Sequence, residues 1–311
     1  MKNMDTCQSS DIAQQYERTA VQRIGTSKLR SYVTLIRPYQ WIKNGLVLAP
    51  VLFAGKITNG RLFLESVAAA LMFCATASLG YVLNDWIDRK QDAQHPTKCN
   101  RPIPSGELGL TDILLLGALL LSVIFFFSFN FLPNLKLSLC LFTYIIMTLA
   151  YSLGLKKVPC LEIFLIAFFF VLRVLAGGFA TGIRISNWLF STVFFLALLI
   201  TIAKRKSEIL TLGPGAVNHR KSLAQYSLPF LNHFLWAMAC VSLVTYALYT
   251  VENGHNLVYS ILPATYGVIR FLMLTENGKG GDPILTLIKD PHLVISTMVF
   301  LALVCYKIYV A

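Results

Sequence analysis

Residues 62–83 read LFLESVAAALMFCATASLGYVL and run without a break into NDWIDRKQD at 84–92. The first part holds one charged residue, Glu65, and is long enough to cross a bilayer, which takes roughly 20 apolar residues as helix. The second part gathers Asn84, Asp85, Asp88 and Asp92. Asp85 and Asp88, Asn84 and Asp88, and Asp88 and Asp92 stand three or four residues apart, so a helix continued through them carries one acidic face. Carboxylates stacked on one face repel each other unless something positive lies among them. Mg2+ accepts one or two carboxylates together with phosphate oxygens and water, so an acidic helix end facing a basic loop suits a bound diphosphate. The plainer alternative is a solvated helix end whose acids pair with Arg89 and Lys90. Against it stands the next segment, HPTKCNRPIPSG at 95–106, which sets Lys98 and Arg101 beside the acids at the same membrane mouth.

The rest of the chain fits a membrane protein. Its 311 residues are 56% hydrophobic and 14% charged, against roughly 45–50% and about 25% in a soluble domain. Nine apolar runs are expected to cross: 42–57, 62–83, 113–132, 135–151, 160–181, 188–203, 230–250, 257–274 and 292–310. They are continuous rather than alternating, which implies an all-α polytopic bundle and not a barrel. Residues 1–31 are polar and form an expected cytoplasmic tail, leaving 32–311 as one transmembrane domain.

The net charge of +12 could suggest a nucleic-acid partner. Placing the amino terminus inside puts 21 of the 27 Lys+Arg on that side and five on the other, with Arg173 inside a span. That asymmetry favours N-in, C-out topology, and it removes the support for nucleic acid. The long, charged loops 84–112 and 204–227 fall on the inner side, so chemistry is expected there, at the cytoplasmic face of the inner or plasma membrane. The seven cysteines form no CxxC pair and read as small buried hydrophobes. His95, His219, His233, His255 and His292 lack the mutual spacing of a metal site.

The pattern Asn84-Asp85-x-x-Asp88-x-x-x-Asp92, followed by Lys98-x-x-Arg101-Pro102 and Gly106, resembles the first acidic motif of the UbiA-type intramembrane prenyltransferase superfamily. The resemblance implies a nine-helix bundle with a cytoplasmic Mg2+-diphosphate site that opens to the lipid. Most members that use prenyl diphosphates carry a second Asp-rich motif after the sixth span. Here that place reads Lys204-Arg205-Lys206-Ser207-Glu208, a basic cluster suited to phosphate oxygens rather than to a second metal.

Further stretches are similar to the polyprenyl-phosphate phosphoribosyltransferase branch. They are Arg37-Pro38-Tyr39-Gln40-Trp41-Ile42-Lys43-Asn44, Tyr151-Ser152-Leu153-Gly154-Leu155-Lys156, Leu172-Arg173-x-x-Ala176-Gly177-Gly178 and Lys204-Arg205-x-x-Glu208. The resemblance implies phosphoribosyl diphosphate as donor and a decaprenyl-type polyprenyl phosphate as acceptor, the latter reached through the surrounding membrane lipids. It also implies that Asp85, Asp88 and Asp92 hold Mg2+ and act in catalysis. Substrate binding then falls to Lys43, Asn84, Lys98, Arg101, Tyr151, Lys156, Lys204 and Arg205.

Lys43 beside Trp41 could equally anchor a helix at the interface, and Lys156, Lys204 and Arg205 could serve only topology or lipid contact. Arg173 lies mid-span, where a charge requires a bundle-facing partner, so a structural role is expected for it. Ala176-Gly177-Gly178 should let a neighbouring helix approach closely. Glu162 is a weaker candidate for a metal or ribose contact. Two other functions compete. One is ordinary prenyl transfer to an aromatic or other small acceptor. The other is a transporter or lipid-binding protein, which would spread polar residues along several spans rather than gather them at one mouth.

Overall fold

The computed structural model describes residues 28–94, 98–130, 132–212, 221–252, 257–278 and 280–310. These residues form helices and connecting segments, with no strand among them. After α1 (Lys28–Ile36) comes a 3-10 segment, Pro38–Leu48, that runs into the short α2 (Ala49–Phe53). The long helices are α3 (Gly60–Asp92), α4 (Leu110–Asn130), α5 (Leu135–Leu153), α6 (Leu161–Thr181), α7 (Asn187–Leu212), α8 (Leu228–Glu252) and α9 (Ile261–Glu276). A short α10 (Pro283–Lys289) precedes α11 (Pro291–Tyr309).

Among the described residues, eight helical stretches are long and apolar enough to cross a membrane, matching the expected runs from 62–83 onward. The first expected run, 42–57, is built differently. A 3-10 helix rises about 2.0 Å per residue against 1.5 Å in an α-helix, so residues 38–53 have a contour of about 30 Å, the thickness of the hydrocarbon core. Pro38 and Pro50 both sit in first turns, where no amide donor is needed.

α3 is capped at its start by Asn59, whose side chain accepts from the Leu62 amide. Its 33 residues extend about 50 Å, well beyond the roughly 30 Å of the hydrocarbon, so the helix has length to spare for the acidic motif in its last turns. The helix does continue through Asp92, as the offsets required.

Two interior clusters hold the bundle. Val47, Met72, Phe73, Leu137, Tyr144 and Leu172 join the 3-10 segment to α3, α5 and α6. Ile163, Leu198, Ile202, Leu231, Leu235 and Leu272 join α6 to α9. The small-residue expectation is met, because a Cβ on Gly177 would lie 1.9 Å from the Val47 carbonyl oxygen. The 3-10 segment therefore rests directly on the α6 backbone. α4 instead turns Leu114, Leu115, Leu119, Phe125 and Phe129 outward, as a lipid-facing helix should.

Two expectations change. Residues 1–27 of the polar tail lie outside the described residues, but 28–31 are helical, with Ser31 buried and bonded to Glu107. Tyr32 and Lys28 both reach Asp112, so α1 is tied to the start of α4. Of the cysteines, Cys74 and Cys140 are buried, whereas Cys160, Cys240 and Cys305 are exposed, because an apolar run facing lipid has no need to bury its small residues. Cys7, His95, His219 and His255 lie outside the described residues.

Candidate active site

One end of the bundle holds a cavity of about 600 Å³, lined by Arg37, Asn84, Asp88, Gln91, Asp92, Lys98, Arg101, Tyr151, Lys156, Lys157, Lys204 and Glu208. The residues come from the ends of α1, α3, α5 and α7 and from the two connections that follow α3 and α5. Alternation of the spans places all these ends on the same side, which is why residues far apart in sequence meet there.

Each motif carboxylate already faces a protein cation. Asp85 is buried and accepts from Arg37 Nη2 at 2.7 and 2.9 Å through its two oxygens. Arg101 Nη1 bridges Asp85 at 3.1 Å and Asp92 at 2.8 Å, with Lys98 Nζ 3.5 Å from Asp92. Asp88 accepts from Lys156 Nζ at 2.6 Å on both oxygens. Asn84 Oδ1 accepts from the Ser152 hydroxyl at 2.8 Å, which locks the end of α5 against α3.

The sequence-selected residues thus divide. Asn84, Asp88, Asp92, Lys98, Arg101, Tyr151, Lys156 and Lys204 line the cavity. Asp85 lies behind it, taken up by two guanidinium groups. Lys43 is half-buried on the 3-10 segment, within electrostatic reach of Lys204, Arg173 and Asp282, and does not line the cavity. Arg205 is not brought to the cavity wall either. It is 1% exposed, 3.0 Å from Glu162 and 2.6 Å from Glu208, so burial makes it an ion-pair partner rather than a phosphate ligand.

Glu162 is likewise fully buried between Arg205 and the Ser222 hydroxyl, far from the ligand role considered for it. Arg173 takes the structural role. It donates to Asn44 Oδ1 at 2.8 Å and to the Phe169 carbonyl, and it lies 5.0 to 5.4 Å from the ring centres of Phe73, Tyr144 and Phe170. Those ring faces answer its charge without a carboxylate.

Arg37, Lys157, Gln91 and Glu208 also line the cavity, although none of them is among the expected site residues. Arg37 had a signal, since it opens a matched motif directly before Pro38. Its backbone is left-handed, with φ 52°, uncommon for a side chain of this size. This conformation turns the chain from α1 into the 3-10 segment while the guanidinium lies over Tyr81 and meets Asp85.

Among the described residues, no three acidic, cysteine or histidine side chains converge as a ready metal site. Arg101 stands between Asp85 and Asp92, and Asp88 faces Lys156. Asp88 and Asp92 with the Asn84 amide still offer hard oxygen donors along one helix face. This set fits a cation that takes one or two carboxylates and completes its shell with phosphate oxygens.

Residues 47–283 match the UbiA prenyltransferase family. A decaprenyl-phosphate phosphoribosyltransferase from Corynebacterium glutamicum is 32% identical over 288 residues, covering 89% of this chain and 86% of that protein. One of the same description from Mycobacterium tuberculosis is 32% identical over 285 residues, covering 88% and 92%. Among solved structures, a UbiA homolog from Archaeoglobus fulgidus bound to GPP and Mg2+ superposes with a TM-score of 0.65 at 20% identity, covering 89% of this chain and 99% of that one.

Proposed function

The chain belongs to the UbiA prenyltransferase family as an integral membrane transferase, and from that premise we propose that it moves a 5-phosphoribosyl group from phosphoribosyl diphosphate to a polyprenyl phosphate. The observation that carries the proposal is the charge of the cavity. Arg37, Lys98, Arg101, Lys156, Lys157 and Lys204 outnumber Asp88, Asp92 and Glu208, which suits two phosphate-bearing substrates bound together.

In this reading the cavity faces the cytoplasm, and the acceptor reaches it from the bilayer. Asp88, Asp92 and Asn84 would hold Mg2+, which supplies charge neutralisation of the diphosphate. Asp85 keeps Arg37 and Arg101 oriented on the cavity wall. Lys98 and Arg101 bind diphosphate oxygens, while Lys156, Lys157 and Lys204 draw the acceptor phosphate and the donor's 5-phosphate. Lys43 and Arg205 keep only supporting parts, Lys43 adding positive field from behind the wall. The bond from ribose C1 to the diphosphate oxygen breaks with its electron pair leaving on the diphosphate, and an acceptor phosphate oxygen bonds to C1. The charged donors stabilise the departing diphosphate. The acceptor is already anionic at neutral pH, so no proton has to be removed and no His or Cys nucleophile is required.

The test is to incubate the purified protein and Mg2+ with labelled phosphoribosyl diphosphate plus polyprenyl phosphate, and separately with a labelled prenyl diphosphate plus an aromatic acid. Labelled phosphoribosyl lipid should form in the first mixture only. Product in the second mixture alone would replace this reading with prenyl transfer.

A further inference from the structure

Glu208 stands out in the cavity because it is an acid on the wall that carries Lys204, Lys156 and Lys157. If that wall bound phosphate alone, a carboxylate there would repel the ligand. It is also firmly placed: Oε2 accepts from Arg205 Nη1 at 2.6 Å, and Arg205 Nε lies 3.0 Å from Glu162 Oε1. Glu162 accepts in turn from the Ser222 hydroxyl at 3.1 Å. Glu162 is 0% exposed and Arg205 1%, and a fully buried ion pair is costly to desolvate. The pair ends on one surface feature, the Glu208 carboxylate. A carboxylate offers about four acceptor positions, and Arg205 occupies part of that capacity.

We propose that Glu208 is the residue that recognises the ribose of the donor, accepting hydrogen bonds from its hydroxyl groups while the surrounding bases hold the phosphates. The chemistry follows from the ligand's own distribution of groups. A phosphoribosyl diphosphate is anionic at both ends and offers hydroxyl donors between them, so an acid set among bases matches the middle of the molecule. Carboxylates bind ribose hydroxyls in this way in dinucleotide sites. Arg205 is the positioning residue, and Glu162 with Ser222 fixes Arg205. The inference rests on the phosphoribosyl-transfer reading and adds what distinguishes a pentose from any other diphosphate ester.

The experiment compares kcat/KM for phosphoribosyl diphosphate and for its 2-deoxy analogue, with polyprenyl phosphate as acceptor, in the wild type, Glu208→Ala and the isosteric Glu208→Gln. The wild type should prefer the ribose donor by about 10- to 100-fold, the range of one charge-assisted hydrogen bond. Glu208→Ala should reduce that preference to about 3-fold or less, Glu208→Gln should fall between, and the KM for polyprenyl phosphate should stay within about 3-fold. An undiminished preference in both variants overturns the proposal. So does a raised Mg2+ requirement with unchanged preference, which would make Glu208 a cation ligand instead. Absence of any transfer by the wild type overturns the phosphoribosyl reading itself, and the inference falls with it.

Discussion

Lys156 Nζ lies 2.6 Å from both carboxylate oxygens of Asp88, although the two residues are 68 positions apart. The contact brings the connection after α5 onto the acidic face of α3. The pair lines the cavity with side chains at 15% and 20% exposure, so a ligand entering the cavity can reach both groups, and an amide in place of the carboxylate would still accept from Lys156.

Asp88→Asn should therefore leave the protein folded and lower phosphoribosyl transfer by about 100-fold or more, in line with losing a charge-stabilising group. Label incorporation into the lipid fraction and elution of the purified variant in detergent check both halves. A folded variant with wild-type transfer removes Asp88 from the site.

Chelation should separate activity from stability. EDTA is expected to abolish transfer and added Mg2+ to restore it. The melting temperature should move by no more than about 2 °C, because Asp88 and Asp92 already face Lys156, Lys98 and Arg101. A large drop in melting temperature on chelation would show a resident structural cation.

Gly177→Ala should disrupt the packing of the 3-10 segment on α6. The new methyl would lie 1.9 Å from a backbone oxygen of Val47, which has no side-chain torsion with which to yield. Overpacking of this kind costs about 1–3 kcal/mol or more. Thermal unfolding and the yield of detergent-stable protein should both fall, and a variant as stable as the wild type would contradict the packing described.

Arg173→Met should lower stability on the order of 2–4 kcal/mol, since Asn44 Oδ1 loses its buried charged donor and the Phe73, Tyr144 and Phe170 rings lose the cation packed against them. Arg173 does not line the cavity, so the KM for phosphoribosyl diphosphate in the surviving folded fraction should change by less than about 3-fold. A selective rise in KM without loss of stability would make it a ligand contact instead.

The connection between α10 and α11 should give an acid-sensitive step. Hydrogen bonds from Arg270 hold the Asp290 carboxyl down at about 2, below its ordinary 3.8. The folded state thus binds this proton more weakly than the unfolded state does. The resulting stabilisation is complete above about pH 4 and is lost as pH falls through about 2. Asp290→Asn should be less stable at neutral pH and should lose less between pH 5 and 3 than the wild type does, as read by thermal unfolding. Identical slopes would exclude the linkage.

The class of fold was legible because hydrocarbon imposes a length and a composition on every crossing, and both are local properties of the chain. The same locality made the acidic face of α3 readable, since helical offsets alone align Asp85, Asp88 and Asp92. The 3-10 geometry of 38–48 was not legible. That segment lies against α6 at Gly177, a contact made far away in sequence that no local pattern announces. The split within Lys204-Arg205-x-x-Glu208 was equally hidden. Residues one position apart on a helix point in different directions, and only the packing of α7 against α6 sends Arg205 to Glu162 and leaves Lys204 at the cavity.

By itself, then, the sequence determined an all-helical membrane transferase with an acidic motif at one mouth, because bilayer thickness, helical periodicity and charge sidedness are written along the chain. Only the tertiary structure decided which charges meet. It took Asp85 and Arg205 out of the cavity and brought in Arg37 and Glu208, because the pairing of buried charges depends on distances between helices, which no single segment encodes.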